Sequence, residues 1–194
     1  MLRFSITINV YEQTPIFYEV RNKRRTTMTN NDLLIRLRYA LDLKNREMVE
    51  IFGLGGYNMS PEVLPKYLAK PTLDEDGEFV QTDDYIACND ALFEKFMNGF
   101  VTYKRGKQEQ KPGQTPPPAP TKKDHSNNLM LKRIKIALSL TTEDMIAIFY
   151  DAGLNVSKGE LGAILRKADH RNYKECGDNF ARNFLKGLTL KYRQ

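Results

Sequence analysis

From Met28 onward the apolar positions recur every three or four residues, the spacing of one face of an α-helix. Leu33, Leu37, Ala40 and Leu41 form a first stripe, with Asn30 or Asn31 available as N-cap; Met130, Ile134, Ala137 and Leu138 form the same stripe further along. A second, shorter helix is predicted over about 45–54 and again over 142–151, burying Met48, Ile51 and Phe52, or Met145, Ile148 and Phe149. Gly56 and Gly153 end it in the left-handed conformation that costs glycine little. The third helix starts at Ser60-Pro61, serine as cap and proline in the first turn; its counterpart opens on the capping box Ser157-x-x-Glu160. Pro65 and Gly162 then weaken one site a turn inside, which predicts a short or bent helix. The fourth helix is the longest, with Leu92, Phe96 and Phe100, or Phe180, Phe184 and Leu188, repeating every four residues. Lys104-Arg105 and Lys191-x-Arg193 lie near its C-terminal ends, where cations suit the macrodipole.

The two series are one series written twice. Asn30–Lys70 aligns without gaps to Asn127–Lys167 at an offset of 97, with more than a third of the positions identical. Tyr85-x-x-Cys88-x-Asp90 then matches Tyr173-x-x-Cys176-x-Asp178 at an offset of 88, because the first copy carries a longer acidic loop around Asp74–Gly77. The expected fold is all-α: a tandem duplication of a small four-helix unit, pseudo-twofold related. Residues 28–107 form repeat 1 and 127–194 repeat 2. Between them, residues 108–126 hold five of the nine prolines and read as a semi-rigid linker. Residues 1–27 alternate with period two (Phe4, Ile6, Ile8, Val10) and end in the basic run 21–25. The break in periodicity points to Met28 as the natural start and to 1–27 as an extension that is not native or is dispensable. The rival reading is a basic arm for an anionic surface.

Composition narrows the function classes. The longest unbroken apolar run, Met145–Tyr150, is far short of the roughly 20 residues a bilayer requires. Two cysteines exclude a disulfide scaffold, and two histidines leave little for a metal site. The net charge of +6 is uneven: +3 over residues 1–27, −3 over 28–107, +1 over 108–126 and +5 over 127–194. Only the second repeat is able to present a basic face.

The candidate chemistry is sparse. Gly53-x-Gly55-Gly56 superficially suggests a dinucleotide loop, but it follows a helix, and copy two keeps only Gly153. Cys88 and Cys176 read as small packing residues at the start of the fourth helix, and His170 has no counterpart that would make a Cys-His pair. No catalytic constellation, metal or cofactor is expected. Arg36, Tyr85 and Asp90 recur as Arg133, Tyr173 and Asp178, either as structural ion pairs or as a polar site built twice. The helix–turn–helix-like order invites a nucleic-acid reading, with Lys132, Arg133 and Lys135 on the first helix of copy two and Lys158, Arg166 and Lys167 on or beside the third.

The openings NNDLLIRLRYALDL and NNLMLKRIKIALSL, with the closing stretch Asp169–Asp178 followed by Phe180 and Leu185–Leu188, resemble the YehS-like bacterial proteins that carry domain of unknown function 1456 in tandem. The resemblance spans about Met28–Gln194. It implies a small bacterial cytoplasmic protein and brings no activity or site residues with it. The resulting expectation is a non-enzymatic binding protein, with nucleic acid through the basic second repeat slightly ahead. The alternative is a protein–protein adapter that uses a groove or dimer interface between the repeats. No membrane partner is expected.

Overall fold

The computed structural model describes residues 27–76, 79–80, 82–107 and 123–193. The expected extension up to residue 26 and the proline-rich stretch 108–122 lie outside the described residues. Eight helices are found among those described: α1 (Asn30–Ala40), α2 (Asn45–Leu54), α3 (Leu64–Tyr67), α4 (Asp90–Arg105), α5 (Ser126–Ala137), α6 (Thr142–Asp151), α7 (Lys158–Leu165) and α8 (Asp178–Tyr192). The acidic loop of the first copy folds into a two-residue antiparallel ribbon, β1 (Thr72–Leu73) against β2 (Phe79–Val80), too short to read from alternation.

The caps differ from expectation in an informative way. Thr29, not either asparagine, caps α1: its hydroxyl accepts from the Asp32 N–H at 3.2 Å, and the Asp32 carboxylate accepts from the Thr29 N–H at 3.1 Å. His125 takes the same place before α5, which begins at Ser126. Gly56 and Gly153 adopt φ of +79° and +89°, as their places after α2 and α6 require. Asp42 and Ser139, equivalent residues just past α1 and α5, are also left-handed, at φ 48° and 53°.

Proline decides the third helix. Pro65 has no N–H for the carbonyl four residues earlier, so α3 shrinks to one turn with Pro65 near its start. Glycine only weakens a helix, and α7 runs eight residues through Gly162. Ser157 caps the Glu160 N–H at 3.1 Å as expected, but the Glu160 carboxylate turns away to Lys174 Nζ at 2.7 Å, leaving the box half closed.

Within each repeat the second helix lies on the fourth, α2 on α4 and α6 on α8. Gly99 and Gly187 permit this approach: a Cβ on either would lie 1.9 Å from the carbonyl oxygen of Ile51 or Ile148. Between repeats the exchange is reciprocal, with α4 packing on α5 and α8 on α1. The apolar core accordingly runs through both repeats, with Phe52, Phe93, Phe96, Phe100, Phe149 and Phe184 fully buried. Two equivalent arginines fasten the exchange. Arg105 Nη1 donates to the Ile136 carbonyl at 3.2 Å, and Arg193 Nη1 donates to the Tyr39 carbonyl at 2.9 Å with its guanidinium 3.9 Å from the Tyr39 ring centroid. They lie at the C-terminal ends of their own helices, where cations suit the macrodipole, and from there also satisfy the last turns of the first helices opposite.

Candidate functional site

The repeated asparagines and aspartates form joints. Asn31 is buried; its amide donates to the carbonyls of Tyr67 and Ile86 at 3.0 and 2.8 Å, and its oxygen accepts from the Cys88 N–H at 2.9 Å and the Tyr85 hydroxyl at 3.3 Å. Asn128 does the same for Ile164, Lys174 and Cys176 at 2.8–2.9 Å. Asn30 donates to Asp90 at 2.8 Å, and Asn127 to Asp178 at 3.0 Å. Each aspartate also reaches across to the other repeat. Asp90 accepts from the Ser126 hydroxyl at 3.0 Å, and Asp178 accepts from the Met28 N–H at 2.7 Å. The Asn30 and Ser126 hydrogen bonds hold the Asp90 carboxyl below its ordinary pKa.

Tyr85 and Tyr173 stand beside these joints, and burial pushes both phenols up. The Lys132 ammonium lies 5.6 Å from the Tyr173 ring centroid. Burial also pushes the Cys88 and Cys176 thiols up to about 12, far from a reactive thiolate. Among the described residues no group of three or more His, Cys, Asp or Glu side chains is placed to hold a metal ion.

The two arginines of the repeated polar set go elsewhere. Arg133 borders a hollow of about 120 Å³ with Asp90, Glu94, Asp124 and Ser126, whereas Arg36 lies on a larger cleft.

Most cations singled out for nucleic acid are occupied within the chain. Lys132 pairs with Asp124 at 2.6 Å, and both side chains are largely buried. Lys135 Nζ donates to the Leu140 carbonyl at 2.5 Å, Lys158 pairs with Glu143 at 2.5 Å, and Arg166 donates to the Asn172 carbonyl at 3.2 Å. Lys167 is exposed.

An opening lies between the repeats, where α1 faces α8. It is a cleft of about 460 Å³ lined by Ile35, Tyr39, Leu185, Thr189 and Leu190, with Asp32, Arg36, Lys70 and Lys186 around it. The reciprocal α4–α5 junction is packed more extensively. The side chains at equivalent positions differ in bulk. The α8 positions Ala181, Leu185 and Thr189 correspond to Phe93, Met97 and Val101 of α4, of which Phe93 is much the bulkier replacement. Asp32 on α1 likewise corresponds to Leu129 on α5.

A family model described as protein of unknown function, DUF1456, matches residues 30–106 and again 127–194. The chain belongs to this family. It is also 37% identical over 164 residues to the uncharacterized protein YehS of Escherichia coli (strain K12), a match covering 84% of this chain and 96% of the relative. No solved structure matches. The two matched segments supply one wall of the cleft each, so a single copy of the family domain does not contain the site. Of its residues, only Arg36 stands among the candidate site residues of the sequence. Ile35, Tyr39, Lys70, Lys186 and Thr189 were not, because their meeting depends on α8 crossing to the opposite repeat. The signal available was the second stripe of the fourth helices, Phe93–Met97 against Ala181–Leu185, one position on from the stripe that faces their own core.

Proposed function

We propose that this chain, a duplicated four-helix unit with its halves in pseudo-twofold relation, is a non-enzymatic binding protein whose ligand seat is the α1–α8 cleft between the repeats. One observation carries the reading: of two reciprocal inter-repeat junctions, α4–α5 is filled with bulky side chains and α1–α8 opens to about 460 Å³. That volume lies within the range of small-molecule sites, and its walls combine apolar side chains with a few charged groups. The reciprocal arginine contacts support the pseudo-twofold arrangement. The basic face of repeat 2 is the weaker candidate, since Lys132, Lys135, Lys158 and Arg166 already hold partners in the chain.

The test uses the neutral fluorescent probe N-phenyl-1-naphthylamine. Saturable binding of one probe per chain is expected, and Thr189→Trp, which fills the cleft, abolishes it while leaving the thermal transition in place. Binding unchanged by Thr189→Trp overturns the assignment. In parallel, fluorescence anisotropy with labelled DNA and RNA at low and physiological salt is expected to show no steeply salt-dependent binding. Binding of that kind, lost in Lys132→Gln and Arg133→Gln, would return the function to nucleic acid.

A further inference from the structure

We infer that the cleft takes a small carboxylate on an apolar body, an alkanoate or arylalkanoate of about a dozen carbons, its anionic head beside Arg36 and Lys70 and its tail on Ile35, Tyr39, Leu185 and Leu190. This rests on the cleft being the ligand seat and specifies the chemistry it selects.

The sign of the charge follows from which groups are engaged. Asp32, the one acid on the cleft wall, is held as the capping partner of the Thr29 N–H and hydroxyl, both at 3.1 Å. Lys186 donates to the Ala152 carbonyl at 3.2 Å. Arg36 and Lys70 are exposed, and their side chains make no hydrogen bond or ion pair with any described residue. An anion entering the cleft therefore meets Arg36 and Lys70 without displacing an internal partner, in a lining whose three cations outnumber its one carboxylate, and the Arg36 guanidinium offers a planar fork that matches a carboxylate.

The remaining lining, two leucines, an isoleucine, a tyrosine and Thr189, suits a hydrocarbon or aryl tail and offers few donors to a sugar or a nucleotide.

The experiment measures displacement of N-phenyl-1-naphthylamine from the full chain by decanoate, 1-decanol and decylamine, below their aggregation limits, with calorimetric titration of decanoate as a probe-free readout. Decanoate is expected to bind at least tenfold more tightly than 1-decanol, and decylamine more weakly than either. Arg36→Gln and Lys70→Gln each lower decanoate affinity about fivefold to tenfold, leave 1-decanol unchanged, and alter exposed residues that carry no packing. Equal competition by decanoate and 1-decanol, or an unchanged decanoate affinity in both variants, overturns the carboxylate assignment and leaves the cleft as the seat. Absence of both probe binding and calorimetric binding overturns the seat as well.

Discussion

At the scale of single residues, the paired asparagines are the most consequential polar groups. Asn31 is tied to Tyr67, Ile86, Cys88 and Tyr85, so one side chain holds the third helix, the following loop and the entry to α4 together. Asn31→Ala leaves buried carbonyls and an N–H without partners and is expected to cost on the order of 3 kcal/mol, read as a lower urea midpoint at unchanged slope. Asn128→Ala follows suit. The thiols beside them are predicted to be inert: with burial pushing both up to about 12, Cys88 and Cys176 should react with Ellman's reagent in urea at least a hundredfold faster than in the native protein. The identity of Asn30-Asn31 with Asn127-Asn128 was legible as repetition, but its purpose was not. Asparagine is a strong N-cap residue, and the partners that turn it inward lie 36 to 57 positions away.

At the scale of helices, the approach of the second to the fourth in each repeat rests on a glycine. Gly99→Ala or Gly187→Ala would place a Cβ 1.9 Å from a backbone oxygen that has no side-chain freedom to retreat. A loss of roughly 3 kcal/mol or more is expected in chemical unfolding. Gly53 lies within α2 with nothing within 4 Å of an added Cβ, and Gly53→Ala is expected to gain about 0.5–1 kcal/mol. The second helices were legible to the residue, because a clean apolar stripe meets a stop at Gly56 and Gly153. The third was not equally legible in both copies: Pro65 removes a donor and reduces α3 to one turn, whereas Gly162 removes only a side chain. Lengths could be read from periodicity; the destination of the fourth helices could not, since a stripe does not say which repeat it faces.

At the scale of the whole molecule, the joints between repeats make stability depend on acid. The Asp90 carboxyl is held below its ordinary pKa by Asn30 and Ser126, so unfolding takes up a proton. Its contribution is complete above the ordinary carboxylate range and is lost as pH falls toward the lowered folded value. Between about pH 6 and pH 3 the urea midpoint of Asp90→Asn should therefore fall less than that of the wild-type chain. The duplication itself was open to reading from spacing alone, and the family match to two segments agrees with it. The cleft was hidden because its walls, Asp32–Tyr39 and Leu185–Leu190, lie some 150 positions apart and meet only through the crossing of α8. That crossing also governs how the molecule holds together when cut. Because the last helix of each half lies on the first helix of the other, severing the chain within 108–122 turns folding into a second-order equilibrium. Fragments 27–107 and 123–194 should then recombine one to one, with a melting temperature that rises with concentration, unlike that of the intact chain. The covalent connection acts as an effective molarity, keeping each half supplied with its complement at any dilution.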